Sequence, residues 1–485
     1  MLFNSINFWI FFVVVFILYW LIAKNLLLQN TLLLIASYFF YSCWNWHFLF
    51  LLMFSTLLDY FSGLKISQTE NKRLKLIWLW LSISINLGFL GVFKYYNFFA
   101  NSFKDLLIHF GLHVDISTLN VILPIGISFY TFHGLSYIID IYKNRISSEK
   151  NIIDYAVFVS FFPLLVAGPI ERATHLLPQI KRKRTFEYSK AIDGMKQILW
   201  GLFKKIVIAD NCADYANLVF NNSSHYPGSI LLIGAGFFAF QIYCDFSGYS
   251  DIALGTARLL GIELLRNFAF PYFSRDIAEF WRRWHISLTT WFRDYLYIPL
   301  GGSRGSLWKK IRNTFIIFIV SGFWHGANWT FIIWGFLNAV YFLPLLLLKM
   351  NRKNLEIVSS GKLFPTAKEL VGIVCTFCLT TFAWIFFRAE NVTQAFYFIK
   401  NIFSTSVFKL PKGSDFIGTN VSPLTMLSLL GVFFAIEWIG REQQFAIANL
   451  GANWKRPLRF ATYYGIILMI FWFGGREQQF IYFQF

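Results

Sequence analysis

The stretch PYFSRDIAEFWRRWHISLTTWFRDYLYIPLGGSRGS occupies residues 271–306, and SGFWHGANWTFIIWG occupies residues 321–335. Both stretches gather unusual polar side chains within an otherwise apolar chain. A run without Asp, Glu, Lys or Arg extends from Asn313 to Leu348 and contains His325. A titratable imidazole inside a membrane-type segment is costly to keep, so the sequence predicts a functional role for His325.

The first stretch would present two chemically different faces if it formed one helix. At about 100° per residue, one face carries Arg282, His285, Thr289 and Arg293. The opposite face carries Trp281, Trp284, Leu288, Trp291 and Tyr295. We therefore expect a cationic, hydrogen-bonding stripe backed by an aromatic one.

The composition indicates a membrane protein. Hydrophobic residues make up 56% of the 485 residues and charged residues only 14%, whereas a soluble domain normally carries about 25% charged residues. Several uncharged runs reach the roughly 20 residues that a spanning helix needs, and their apolar residues are continuous, as in helices and unlike barrel strands. The sequence predicts an all-α polytopic membrane protein with about 11–13 transmembrane helices.

The net charge and the cysteines fit the same class of protein. A net charge of +18 would suggest nucleic acid in a soluble protein, but here the positive charges stand in short loops between apolar runs. We therefore expect no nucleic-acid partner. The five cysteines lie in or beside apolar runs. Cys375 and Cys378 form a CxxC without a companion pair, so we expect buried small side chains, no metal site and no disulfide framework.

The order of apolar runs and basic loops predicts the topology. The first run, about residues 3–23, lacks a basic start and a cleavage site, so we expect a retained span. The run 25–58 should break at Ser42–His47, and the proline-interrupted run 155–170, flanked by positive charge on both sides, should be re-entrant. The positive-inside rule predicts that the cytoplasmic loops are 65–75, 143–150, 181–190 and 349–353 and the outer loops 97–118 and 221–229.

Two aspartates, Asp245 and Asp251, stand in the apolar run 237–255. On one helix they would point in different directions, unless Ser247–Gly248 breaks that helix. Capping a helix, pairing with an arginine and a chemical role all stay open for these two carboxylates.

Five segments together resemble one family. They are LPIGISFYTFHGLSYIID (123–140), LVAGPIERATHLLPQI (165–180), QIYCDFSGYSDIALG (241–255), NFAFPYFSRDIAEFWRRWHISLTTWFRDYLYIPLGGSR (267–304) and FWHGANWTFIIWG (323–335). This set is similar to the membrane-bound O-acyltransferases, and within them to the bacterial alginate O-acetyltransferase branch, which is related to the teichoic-acid D-alanyl transferase. The closing YFQF (482–485) fits that branch too.

The resemblance implies an architecture and two site residues. It implies a catalytic core over 1–390, further membrane helices over 391–485, and two funnels that meet at a thin central partition. The family's essential histidine falls on His325, and its second characteristic position falls on His285. Many eukaryotic members carry asparagine at that second position, which argues against proton transfer by His285.

Acyl transfer from a thioester to a hydroxyl needs a base, hydrogen-bond donors that stabilise the oxyanion and a binding site for the thioester. We expect His325 to be the base and His285 a neutral hydrogen-bonding group, because the arginines on its predicted face would disfavour its protonation. A satisfied core histidine is the alternative for His285. Candidates for binding the donor, expected to be acetyl-CoA, are Arg282, Arg283, Arg293, Trp284, Asn328 and Trp329. The arginines could instead be ordinary positive charges of a cytoplasmic loop, and the tryptophans could instead serve packing and interfacial anchoring.

The resemblance and the short outer loops suggest the partners. We expect a multi-pass protein of the bacterial inner membrane, without a permanently bound cofactor, that sends acetyl groups toward a secreted polysaccharide. An SGNH-type partner, periplasmic or membrane-anchored, would pass them on. A D-alanyl or other acyl transferase to a cell-wall polymer is one alternative. A polytopic transporter with a proton relay is another, although few acidic residues lie within the apolar runs.

Overall fold

The computed structural model describes residues 1–112, 114, 117–119, 122–165, 168–474 and 477–483. Over these residues the chain is helical and contains no β-strand. Parts of the predicted outer loop 97–118, of the run 155–170 and of the closing motif 482–485 lie outside the described residues. The prediction of an all-α protein is confirmed.

The first ten helices run from the start of the chain to Leu202. They are α1 Ile6–Leu21, α2 Leu26–Ser42, α3 His47–Gln68, α4 Lys72–Leu90, α5 Tyr96–His109, α6 Ile127–Tyr142, α7 Ile152–Ser160, α8 Phe162–Leu165, α9 Ala173–Lys181 and α10 Tyr188–Leu202. Short π-helical stretches, Gly91–Tyr95 and Phe203–Ala209, follow α4 and α10.

The remaining helices begin at Asp210. They are α11 Asp210–Asn221, α12 Gly228–Leu259, α13 Ile277–Arg283, α14 Ile286–Phe292, α15 Leu307–His325, α16 Trp329–Leu347, α17 Ala367–Arg388, α18 Val392–Ile402, α19 Pro423–Ile439 and α20 Arg456–Phe473. A third π-helical stretch, Arg293–Tyr297, follows α14, and short 3₁₀ turns include Pro271–Phe273 and Ile481–Phe483.

The protein crosses the membrane several times. Within the described residues, five helical stretches are long and apolar enough to span a bilayer: His47–Gln68, Lys72–His109, Gly228–Leu259, Trp329–Leu347 and Ala367–Arg388. Apolar helices of 10–17 residues add to them, among them α1, α2 and α19. The expected break at Ser42–His47 is confirmed, because α2 ends at Ser42 and α3 begins at His47.

One compact unit comprises Met1–Gly194 and Ala253–Leu265. In it, α3, α4 and α6 pack together around the buried carboxylate of Asp59, which accepts hydrogen bonds from Ser82 Oγ (2.6 Å) and Asn86 Nδ2 (2.8 Å). The predicted re-entrant run is interrupted, since α7 ends at Ser160 and the four-residue α8 begins at Phe162. Nine residues of helix reach about 14 Å, which is too short to cross a bilayer.

The second compact unit comprises Met195–Ile252 and Arg266–Phe485. These divisions differ from the predicted boundary at 390, which rests on the family resemblance and stays a prediction. In this unit α15 and α16 form a hairpin. Gly322 and Gly335 allow the close approach, because a Cβ on either would overlap the backbone of the facing helix, at Phe331 and Phe318.

Two side-chain predictions need correction or completion. Cys375 and Cys378 are exposed on α17, so the expectation that they are buried is wrong.

α12 continues through Ser247–Gly248 without a break. Among the described residues its two aspartates pair with lysines and not with arginines: Asp245 with Lys205, and Asp251 with Lys204.

Candidate active site

His325 is the last residue of α15, at the tip of the α15–α16 hairpin. Its side chain is buried, with 4% of the residue exposed. Aromatic rings surround the imidazole, with centroid distances of 4.8 Å to Trp324, 5.1 Å to Trp334, 5.3 Å to Phe387 and 5.7 Å to Tyr482. The helix end therefore holds His325 in a largely apolar enclosure.

His285 lies between two short helices, because α13 ends at Arg283 and α14 begins at Ile286. Its backbone is left-handed, with φ of 42°, a conformation that L-residues rarely adopt. The prediction of one continuous helix with a cationic face is wrong. The turn is stabilised by the N–H of Ile286, which donates to the carbonyl of Asn267 at 2.9 Å.

The His285 side chain is buried and polar at the same time. It is 1% exposed and packs edge-on against Phe246, with ring centroids 4.7 Å apart. Within the described part of the chain, neither ring nitrogen has a hydrogen-bond partner. Buried polar groups in native proteins are nearly always satisfied. The described residues therefore leave the hydrogen-bonding capacity of both His285 ring nitrogens unused.

The two histidines share neighbours. Trp324 lies 4.8 Å from His325 and 6.3 Å from His285 between ring centroids. Tyr482 lies 5.7 Å from His325 and 6.5 Å from His285. Residues far apart in sequence thus meet in one aromatic enclosure, which we call the histidine pocket and define by His285, His325, Trp324 and Tyr482.

Burial sets the protonation state of His285. Removal from solvent lowers its pKa to about 3, because an apolar enclosure disfavours the imidazolium. The expectation of a neutral His285 rested on nearby arginines, but the physical cause in the structure is desolvation. A neutral imidazole can donate one hydrogen bond and accept another.

The three arginines predicted for the donor are bound to groups of the protein. Arg282 donates to the backbone carbonyls of Asn351 (2.8 Å) and Asn354 (2.7 Å). Arg283 pairs with the buried carboxylate of Glu279 at 2.9 Å, and Arg293 pairs with Asp294 at 2.7 Å. Their binding of donor phosphates stays a prediction. It is most straightforward for Arg293, whose side chain is 57% exposed.

The other predicted donor residues lie in three different settings. Trp284 is 1% exposed and stacks on Phe280 with 5.4 Å between centroids, so it is part of the core. Asn328 caps α16 by accepting from the N–H of Thr330 at 3.1 Å. Trp329 is 54% exposed. Binding of the donor by Trp284, Asn328 and Trp329 stays a prediction.

The sequence patterns did not indicate Tyr482, Phe246 or Phe387 as parts of the site. Tyr482 belongs to the closing motif that fits the family, but no residue spacing links it to His325. Phe246 and Phe387 stand in apolar runs where aromatic residues are common. No metal-binding cluster of three or more His, Cys, Asp or Glu side chains was found among the described residues.

Comparison with known proteins adds a family and several relatives. The profile of the MBOAT, membrane-bound O-acyltransferase family, matches residues 142–374, which include both histidines. The chain is 39% identical over 441 residues to the probable alginate O-acetylase AlgI of Pseudomonas aeruginosa, covering 90% of this chain and 82% of the relative. It is 38% identical to the peptidoglycan O-acetyltransferase of Helicobacter pylori over 78% of this chain and 75% of the relative. The teichoic acid D-alanyltransferase of Bacillus subtilis is 30% identical over 46% of this chain and 58% of its own length.

Proposed function

Because the chain belongs to the membrane-bound O-acyltransferase family and is a multi-pass membrane O-acyltransferase, we propose that it transfers acetyl groups across a bacterial inner membrane. The donor is a cytosolic thioester, acetyl-CoA. The final acceptors are hydroxyl groups of a secreted, alginate-like polysaccharide. The single observation that supports this assignment most directly is the histidine pocket, where two buried imidazoles share Trp324 and Tyr482.

In this proposal the two histidines have different roles. His325 accepts the proton of the attacking hydroxyl as the hydroxyl oxygen bonds to the thioester carbonyl carbon. It returns that proton to the sulfur when the carbon–sulfur bond breaks and the thiol leaves. His285 stays neutral because burial lowers its pKa to about 3, and it donates a hydrogen bond to the carbonyl oxygen on which negative charge develops. The aromatic walls keep water away and so strengthen these polar interactions.

Transfer of an acetyl group is favoured over transfer of D-alanine, because more of this chain aligns with the acetyl-transferring relative. Alignment with the relative named alginate O-acetylase covers 90% of this chain, whereas alignment with the teichoic acid D-alanyltransferase covers 46%. The helices α19 and α20 follow the part of the chain that the family profile matches. We therefore assign acetylation of a polysaccharide and keep D-alanylation of a cell-wall polymer as the second candidate.

The acetyl group is the part that crosses the membrane. Coenzyme A carries several phosphate charges, and moving these through hydrocarbon would be prohibitive, whereas an acetyl group is small and uncharged. His325 would stand at the partition between a cytosolic donor and an acceptor on the outer side. An SGNH-type partner, anchored or secreted, would take the acetyl group on a serine and pass it to sugar hydroxyls.

The experiment uses the full chain in sealed membrane vesicles with radiolabelled acetyl-CoA on the cytosolic side. Label should reach polysaccharide when the partner is present and should be absent from a His325→Ala variant that inserts normally. Label on the polymer at full rate without a partner would show that the relay is unnecessary. Transfer of D-alanine in place of acetate would establish the second candidate. Transport of a solute without any acyl ester formed would exclude an acyltransferase.

A further inference from the structure

Two adjacent lysines of the π-helical stretch Phe203–Ala209 are both buried, with 3% of Lys204 and 1% of Lys205 exposed. Lys204 Nζ lies 2.6 Å from Asp251 Oδ2 and 3.0 Å from Ser247 Oγ. Lys205 Nζ lies 2.7 Å from Asp210 Oδ1 and 2.7 Å from Asp245 Oδ1. Neighbouring lysines thus serve two separate ionic clusters.

The second cluster, which we call the ion triad (Lys205, Asp210 and Asp245), also binds backbone. Lys205 Nζ donates to the carbonyl of Gln478 at 3.0 Å. Asp245 Oδ2 accepts from the N–H of Ile481 at 2.7 Å. Hydrogen bonds to charged partners are about twice as strong as neutral ones, and burial protects these from competition by water. The triad therefore holds the 477–482 segment at two points.

That attachment determines where the aromatic residues of the segment lie. Phe480 packs on Tyr249 with 4.5 Å between centroids, and Tyr482 packs on Phe246 at 4.6 Å. Tyr482 is one residue beyond the Ile481 N–H that Asp245 binds, and its ring contacts both His285 and His325. One wall of the histidine pocket is therefore fixed through an ionic cluster on other helices.

We propose that Lys205 is a positioning residue for acyl transfer, because the ion triad holds the 477–482 segment, and with it Tyr482, against the two histidines. Lys205 acts through the backbone of Gln478 and, through Asp245, that of Ile481. The catalytic part of this inference rests on the proposed acyltransferase function. The attachment of the segment rests on geometry alone and is tested separately.

The first test measures opening of the segment. Ile481, which is 1% exposed, is replaced by Cys in a chain whose exposed Cys43, Cys375 and Cys378 are Ser. Maleimide labelling of the purified full chain in detergent should accelerate about tenfold or more on Lys205→Met, because the segment opens locally. The matched control is Lys204→Met, which removes an equally buried lysine whose ion pair does not involve the segment, and labelling should stay near the parent rate.

The second test measures acetyl transfer in vesicles, where Lys205→Met should lose about tenfold or more relative to Lys204→Met. If Lys205→Met does not fold, Asp245→Asn takes its place, since it keeps the Lys205–Asp210 pair. Equal labelling rates at residue 481 in the Lys205 (or Asp245) variant and the Lys204 variant would overturn the inference. If labelling accelerates only in the Lys205 (or Asp245) variant while the parent protein transfers no acetate, the proposed function is disproved and the attachment of the segment still holds.

Discussion

The ring of Tyr482 packs against the imidazole of His325 with 5.7 Å between centroids, although one residue ends the α15 helix and the other lies in the short Ile481–Phe483 turn. This contact brings Tyr482, the first residue of the closing motif, into the same enclosure as the residue expected to be the base. Variants of either residue therefore report on one pocket.

Replacement of His325 by Ala or Gln should abolish acyl transfer, because loss of a general base typically lowers a rate by about 10²–10⁴. Insertion and folding should persist, since one imidazole contributes little to a large helical core. Transfer is measured in vesicles and folding by size-exclusion chromatography in detergent. Near-normal transfer by a well-folded His325→Gln protein would remove this residue from the chemistry.

Acidification should destabilise the protein partly through His285. Burial lowers its pKa to about 3 in the folded state, while the unfolded chain protonates it below about 6.5. The unfolded state then binds more protons between these values, so stability contributed by the neutral imidazole is present above about pH 6.5 and is lost as the pH falls.

The measurement is the thermal midpoint between about pH 6.5 and about pH 4. In the His285→Asn protein the thermal midpoint should fall less as the pH is lowered. Asparagine suits the test because it tolerates the left-handed backbone at this position. The control is His225→Asn, at an exposed histidine, which should leave the slope unchanged. An unaltered slope in the His285→Asn protein would show that this imidazole is not held neutral by the fold.

Enlarging Gly326 should impair transfer even with a single methyl group. A Cβ there would overlap the ring of Phe331, which packs on Phe387 (4.8 Å), and Phe387 in turn packs on His325 (5.3 Å). Gly326→Ala should lower the transfer rate, and Gly326→Trp should abolish it without weakening donor binding. Gly236→Ala is the control, because open space surrounds that position. If both alanine variants transfer at the same rate, the packing around His325 is not critical.

Topology is tested by cysteine labelling of intact cells, because the sidedness of the loops rests on charge alone. A cysteine at Lys183 should react only after permeabilisation. For the loop 221–229 the suitable position is Ser224, which is exposed, whereas Ser223 is 7% exposed and would label poorly in any orientation. Reaction of residue 183 from outside would contradict the re-entrant interpretation of 155–170.

Local patterns predicted much of the fold. Long apolar runs determined the helices, because a bilayer offers the backbone no other hydrogen-bond partner. The break at Ser42–His47 could be found from composition, and the two candidate histidines from motifs that resemble the family. The prediction of a single helix over the central stretch was wrong, because helical periodicity does not reveal that the backbone at His285 is left-handed.

The sequence by itself indicated the class of protein through its composition, and the family and the two candidate histidines through motifs that resemble that family. Only the tertiary structure decided that Arg282 and Arg283 bind internal carbonyl and carboxylate groups, that desolvation keeps His285 neutral, and that Tyr482 joins the pocket. The physical reason is that hydrogen-bond partners, burial and ring contacts depend on which helices pack together. In this chain those helices are distant in sequence.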